Sequence, residues 1–377
     1  MIIGRKGSIG AVNFSNAPCW PIDTTYFIDD FNGLVPEFIF YAFKGLNLAD
    51  LDTSTAIPGL NRNDIYNQHI PLPPIAEQDR IVEKVEELLA RVNATRERLT
   101  KVKEILKRFR QSILAAACSG RLTADWRERQ GLATATSYVW EQAINKLEAE
   151  YEASCRQTKA QGKRKPFKPT CLEDFELAWE LNFDGLPENW TYVPMGKVCL
   201  KITDGTHDTP KPTETGIPFI TAKHVRDRSV DFENALYLTK EIHDSIYARC
   251  NPRRGDVIVV NIGAGTATPA FVNVDFEFSM KNVALLKPNM EILDGRYLEL
   301  HQLYIKPFVF ELVTRGGAQP FMGLNLIKTI PCIMPPLDEQ KEVVRHAEAI
   351  FKLADQIEKR VVDATARAEK LTQAILA

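Results

Sequence analysis

Three constellations in this 377-residue sequence have residue types and spacings that could do chemistry. Glu339-Gln340-Lys341 has the carboxylate-x-lysine order of metal-dependent nucleases. It falls at the start of a helical pattern, however, and the matching place in an earlier stretch carries Asp79 instead of a lysine. His207 lies between Asp204 and Asp208 and could share a cation with them. One imidazole with two aspartates is a weak donor set, and a turn that shapes its domain is the alternative. Gly4-Arg5-Lys6-Gly7-Ser8-Ile9-Gly10 and Gly263-Ala264-Gly265 are glycine-rich, but both miss the spacing of a dinucleotide loop and lack a following helix. No G-x-x-x-x-G-K-[ST] loop is present to cradle phosphates. Neither Leu72-Pro73-Pro74-Ile75 nor Met334-Pro335-Pro336-Leu337 has the Asn/Asp-Pro-Pro-Tyr/Phe pattern of an adenine methyltransferase. The expectation is a chain with no catalytic residue, no metal and no cofactor of its own.

Residues suited to reading a surface are better represented than residues suited to reacting with one. Arg and Lys match guanine edges in DNA, and Asn and Gln match adenine. Lys223, His224, Arg226 and Arg228 follow the strand-like run Ile217-Pro218-Phe219-Ile220 and are expected to face DNA. Lys281, Arg315 and Gln319 are further candidates, with Arg5, Lys6 and Arg62 in the N-terminal stretch. For each, a solvated loop charge is the alternative. The formal net charge of -2 argues weakly against nucleic acid. Charge is local, though: Arg96, Arg98, Lys101, Lys103, Lys107, Arg108 and Arg110 crowd one stretch, and Lys159, Lys163, Arg164, Lys165 and Lys168 another.

An internal repeat shows which elements must position these residues. Pro73-Pro74-Ile75-Ala76-Glu77-Gln78 recurs as Pro335-Pro336-Leu337-Asp338-Glu339-Gln340, and the register holds without a gap to Gln111–Ala115 on Gln373–Ala377. Apolar residues then recur at three- and four-residue steps, from Ile81 to Ile113 and from Val343 to Ile375. The spacing predicts two long helices, 75–117 and 337–377. Their narrow apolar stripes need partners, and two copies in one chain can supply each other as a coiled coil. The intervening domain must leave one helix end and return to the other, so antiparallel packing is expected.

The remaining sequence divides around these helices. Residues 186–334 are rich in short β-type runs such as Asp256-Val257-Ile258-Val259-Val260, bounded by Gly, Pro and Asn, and predict one α+β domain with a twisted sheet. Residues 1–72 resemble only its second half, with Gly4–Gly10 in the place of Asn261–Ala267. Residues 122–185 read as a charged linker with a short helix from Val139 to Cys155; a docking segment for a partner is the alternative. The seven cysteines lack C-x-x-C spacing, as expected of reduced thiols in a cytoplasm. No apolar run approaches the roughly 20 residues of a membrane helix, and no signal peptide is visible after Met1.

A recognition domain followed by a long helix, repeated in one chain, resembles the specificity subunits of Type I restriction-modification enzymes. Pro-Pro-[Ile/Leu]-x-Glu-Gln at each helix start is similar to that family's signature. Asp204-Gly205-Thr206-His207-Asp208-Thr209-Pro210 with Gly216–Ile220 resembles the opening of its target-recognition domains, and Leu186-Pro187-Glu188-Asn189-Trp190 their N-terminal edge. Ala115–Leu122 resembles the end of the conserved helix.

The resemblance implies an α+β fold in which target-recognition domains alternate with two long helices paired as an antiparallel coiled coil. The expected organisation is a partial first recognition domain at 1–72, spacer helices at 73–121 and 335–377, the linker at 122–185, and a complete second recognition domain at 186–334. It implies a reader of a bipartite site in double-stranded DNA that docks modification and restriction/motor subunits. Those partners would bind S-adenosylmethionine, ATP and Mg. A family member should open with a full first recognition domain, so a missing N-terminal half is expected, and with it possible pairing with a second copy of the chain. The rival readings are a coiled-coil adaptor with no DNA role, and a nuclease or methyltransferase in its own right.

Overall fold

Proline pairs fix where both long helices begin. Pro73-Pro74 and Pro335-Pro336 have no backbone N–H to donate, which ends what precedes them and costs nothing in a first helical turn. The computed structural model describes residues 1–51, 59–131, 135–179, 185–315 and 320–376. It divides into two units, Met1–Lys107 with Ala354–Ala377, and Arg108–Leu353.

In the first unit, β1 (Ile2–Gly4) is the centre of an antiparallel sheet with β2 (Val12–Asn13) and β3 (Thr25–Phe27) on either side; Ile2 stands opposite both Asn13 and Phe27. Helices α1 (Pro36–Gly45) and α2 (Arg62–Tyr66) follow, then α3 (Ile75–Cys118), which contributes residues 75–107 to this unit. Met1, Ile3, Val12, Phe38, Ile39, Leu48, Leu60 and Ile65 form the core, with Ile81 and Val82 of α3 packed on it. α3 ends where Gly120 takes φ 78°. A side chain there would also collide with Pro187, so only glycine serves.

The second unit contains α4 (Ala124–Gln130) and α5 (Thr136–Ala160), then β4 (Thr191–Pro194), β5 (Cys199–Asp204), β6 (Ile217–Thr221), β7 (Val225–Arg226), β8 (Ser229–Val230) and β9 (Leu236–Leu238). After these come α6 (Lys240–Cys250), β10 (Val257–Val260), β11 (Pro269–Phe271), β12 (Ser279–Lys281), β13 (Val283–Pro288), α7 (Gly295–Thr314), α8 (Leu324–Thr329), β14 (Pro331–Met334) and α9 (Leu337–Leu376). The strands pair as β11-β10-β13-β5, β12-β6-β9, β14-β4 and β7-β8. The continuous apolar run of β10 reflects burial on both faces. Val257 and Val259 enter a core with Met195, Cys199, Tyr297 and Val343, while Ile258 and Val260 enter another with Phe219, Ile220 and Met280.

The stretch read as a linker with a short helix is built into the second unit, and its helix is longer, Thr136–Ala160. Trp140 Nε1 donates to Lys197 O at 3.2 Å, Thr136 N donates to Asn189 O at 3.0 Å, and Cys171 is fully buried. The charged residues that suggested a linker occupy the solvent side of a helix whose other side is packed.

The helices keep the expected order. The first unit takes the leading part of α3 and the trailing part of α9, and the second takes the complementary parts. An antiparallel pair requires that partition. Val92 and Leu106 of α3, and Val361 and Ala368 of α9, are buried in the first unit. Among the described residues, no helix is long and apolar enough to cross a membrane.

Candidate nucleic-acid interface

Strand β6 ends at Thr221, and the chain turns at once through Ala222–His224 into the β7-β8 hairpin. The turn is capped from both sides. Thr221 Oγ1 accepts from Lys223 N at 3.4 Å, and Thr221 N donates to His224 Nδ1 at 2.9 Å. An Nδ1 that accepts a backbone N–H leaves the neutral ring's proton on Nε2, so His224 keeps a donor for its surroundings. Arg226 donates through one guanidinium nitrogen to the carbonyls of Lys223 and Val225, which holds its planar fork in place.

These residues border a cleft of about 1140 Å³ in the second unit. Lys281 reaches it from the end of β12, which pairs in parallel with β6 so that Lys281 stands beside Thr221. Its ammonium donates to Thr209 Oγ1. Asn282 follows, at φ 56°. Lys306 enters from α7 and pairs with Asp227 at 2.6 Å. The loop Ile262–Gly265 forms a further wall, held by Gly263 N donating to Pro320 O at 2.9 Å. Among the described residues, four Lys/Arg side chains face one carboxylate around this cleft, in a chain whose net charge is -2. Such a local excess attracts polyanions whatever the total charge.

Of the candidates from sequence, Lys223, His224, Arg226 and Lys281 come together here. Arg228 does not line the cleft. It sits in the two-residue turn of the β7-β8 hairpin at φ 68°, which sends its guanidinium over the Phe351 ring, 4.7 Å from the centroid. Arg315 pairs with Glu311 at 2.9 Å and is also outside the cleft. Gln319 lies outside the described residues. In the first unit, Arg5 and Arg62 both lie over the Tyr26 ring, at 5.7 and 5.3 Å, and Lys6 is exposed. Lys306 and Asn282 were missed. Lys306 sits inside an apolar helix and reaches the cleft only through the fold, whereas an Asn directly after Lys281 was a readable turn signal.

The residues with catalytic spacing have other occupations. Asp204 accepts from Arg249, and its other oxygen lies 2.8 Å from His207 Nε2. Gly205 has no room for a side chain against the Met280 carbonyl. Asp204–His207 thus forms the turn at the end of β5. Glu339 is buried and accepts from Thr123 Oγ1 at 2.8 Å, from Trp190 Nε1 at 2.9 Å and from Arg127. Lys341 pairs with Asp338 instead. Beside it, Gln340 accepts from Asp294 N at 2.8 Å and donates to Ile292 O and Pro335 O. Gln78 repeats this in the first unit, accepting from Val35 N at 3.0 Å and donating to Pro73 O at 2.9 Å. Val35 and Asp294 are the N-cap residues of α1 and α7, so each long helix is tied at its start to the same place in its own unit.

Residues 1–104 match the family described as the Type I restriction modification DNA specificity domain. The chain is 28% identical over 390 residues to the Type I restriction enzyme EcoBI specificity subunit of Escherichia coli, covering 100% of this chain and 72% of that protein. It is 26% identical over 357 residues to the EcoKI specificity subunit of Escherichia coli strain K12, covering 92% and 64%. A solved chain of a type I R-M system shares the fold at a TM-score of 0.58 and 20% identity, covering 91% of this chain and 70% of that one. The matched domain covers residues 1–104, and along its whole length the chain is similar to the specificity subunits of Type I restriction enzymes, whose fold it shares.

Proposed function

We propose that this chain reads DNA sequence through the cleft of its second recognition domain, as the non-catalytic specificity component of a cytoplasmic restriction-modification assembly. The supporting observation is the convergence of Lys223, His224, Arg226, Lys281, Asn282 and Lys306 on one cleft from separate elements. Lys and Arg neutralise phosphates or bind guanine, Asn282 suits adenine, and the His224 donor suits a base acceptor. Arg5, Lys6 and Arg62 are a second, smaller set on the first unit. Modification subunits binding S-adenosylmethionine, and restriction/motor subunits binding ATP and Mg, carry the chemistry. Exposed apolar residues of the long helices in the first unit, among them Ile105, Ile357, Val362 and Leu371, offer these partners a surface, and the Trp126–Lys168 segment is a further candidate. Two copies of the chain on one duplex would present two such clefts.

The test is affinity for cognate duplex DNA in complex with the modification subunits. The triple variant Lys223→Ala, Arg226→Ala, Lys281→Ala should lose about 100-fold or more, since each contact carries roughly 1–3 kcal/mol. Unchanged affinity would exclude the cleft as the reader. A wild-type assembly that never shifts duplex DNA would favour the adaptor reading.

A further inference from the structure

The hairpin that carries Arg226 is small for an element that must hold a reading group still. β7 and β8 pair at Val225↔Val230 and Arg226↔Ser229, and among the described residues neither joins a larger sheet. A two-stranded hairpin is marginal in water by itself, so its placement depends on what fastens it. Its base is seated: Val225 is buried in the core that contains Phe219, and Asp231 N donates to His224 O at 2.8 Å. Its tip, Asp227-Arg228, is fastened to two helices. Asp227 pairs with Lys306 of α7 at 2.6 Å. Arg228 N donates to Pro269 O at 3.2 Å, and the guanidinium lies over the Phe351 ring of α9, 4.7 Å from the centroid. Phe351 is buried in the core that contains Tyr297 and Val343.

The two side-chain fastenings are not equivalent. Asp227 and Lys306 both line the cleft, so a phosphate that enters competes for the Lys306 ammonium. Arg228 stands outside the cleft, and its contact has no such competitor. Its place is also unfavourable in two ways. It holds φ 68°, where glycine or asparagine is the usual turn residue, and among the described residues its buried Nε has no hydrogen-bond partner. Residues kept against such costs cluster at functional positions. The cation does have a counter-charge: burial raises the pKa of Glu299 on α7, and the Phe271 N–H and the charges of Arg296 and Arg228 oppose that rise.

We propose that Arg228 is a positioning residue for sequence readout, which keys the β7-β8 hairpin to the long helix α9 and so fixes where Lys223, His224 and Arg226 meet the base edges. The proposal rests on the cleft being the DNA reader. Hydrogen bonds to base edges weaken steeply when a donor moves off line, whereas phosphate contacts fix no base. A loosened hairpin should lose discrimination and keep general affinity.

The test uses the full chain with its modification subunits and a pool of duplexes of randomised sequence. The bound DNA is sequenced, and base preference is read position by position. Arg228→Gly removes the guanidinium and suits the left-handed φ, so the turn is kept. At the positions where Lys223→Ala, Arg226→Ala, Lys281→Ala loses preference, Arg228→Gly should lose about tenfold, the order of one base-edge contact. Its affinity for the unselected pool should change by less than about twofold, with the same salt slope. Arg228→Lys, which keeps a cation for the ring, should recover much of the preference. Adding Phe351→Leu to Arg228→Gly should cost no further preference, because both break one contact. Wild-type preference in Arg228→Gly would overturn the proposal and leave the cleft reading standing. General affinity falling in step with preference would overturn it as well, since the role would then be support of the fold. A triple variant that keeps every wild-type preference would remove the cleft reading, and this proposal with it.

Discussion

His301 sits at the centre of the second unit, fully buried, where its Nε2 accepts from Ile333 N at 3.2 Å. Burial pushes its pKa down to about 3. Its unfolded value is near 6.5. The unfolded chain therefore binds a proton that the folded chain refuses, and the stability this neutral ring provides is complete above pH 6.5 and lost as pH falls towards 3. Denaturant unfolding should lose about 1.4 kcal/mol per pH unit over that window from this group, and His301→Gln should flatten the slope. An unchanged slope would show that the ring is not held neutral. Glu339 gives a second residue-scale expectation. Glu339→Ala removes the acceptor for Thr123, Trp190 and Arg127, and breaking a buried pair in this way costs about 3–5 kcal/mol in unfolding free energy. The cleft residues were only partly legible at this scale. Lys223, His224 and Arg226 followed from their position after an apolar strand, whereas Arg228 was carried off by a left-handed turn that no local pattern announced.

At the scale of elements, the long helices, their starts and their antiparallel order were legible, because proline pairs and a gap-free repeat are local signals. The extent of α5 was not. Its packed face is formed by Trp140 and Ala143, spaced among charges that resemble a linker, and only the partners at Lys197 and in the core reveal it. The glutamine ties at the helix starts went unread for the same reason, since both bind backbone atoms far away in sequence. Gln340→Ala would leave Asp294 N, Ile292 O and Pro335 O short of partners in a buried site. The expected cost is about 1–3 kcal/mol, measured by denaturant unfolding of the second unit. Gln340→Glu should be no better, because a carboxylate cannot donate to the two carbonyls.

Over the whole molecule, net charge and local charge diverge. The salt dependence of DNA binding follows the number of phosphates the cleft neutralises and not the net charge of -2. With Lys223, Arg226, Lys281 and Lys306 as contacts, and Lys306 shared with Asp227, log affinity against log salt should fall with a slope of about -3 to -4. A slope steeper than about -6 would assign a further basic surface, with Lys163–Lys168 the first to test by alanine substitution.

The two glutamine ties have a consequence for how such a chain can change over generations. Gln78 and Gln340 hydrogen-bond to main-chain atoms, and the capped residue is valine in one copy and aspartate in the other. These two ties place no demand on the side chains across them. The demand falls on the packing beside them, of Ile81 and Val82 in the first unit and of Val343 and Phe351 in the second. Drift at the joint is then free at the tied positions and restricted at the packed ones to changes that conserve volume.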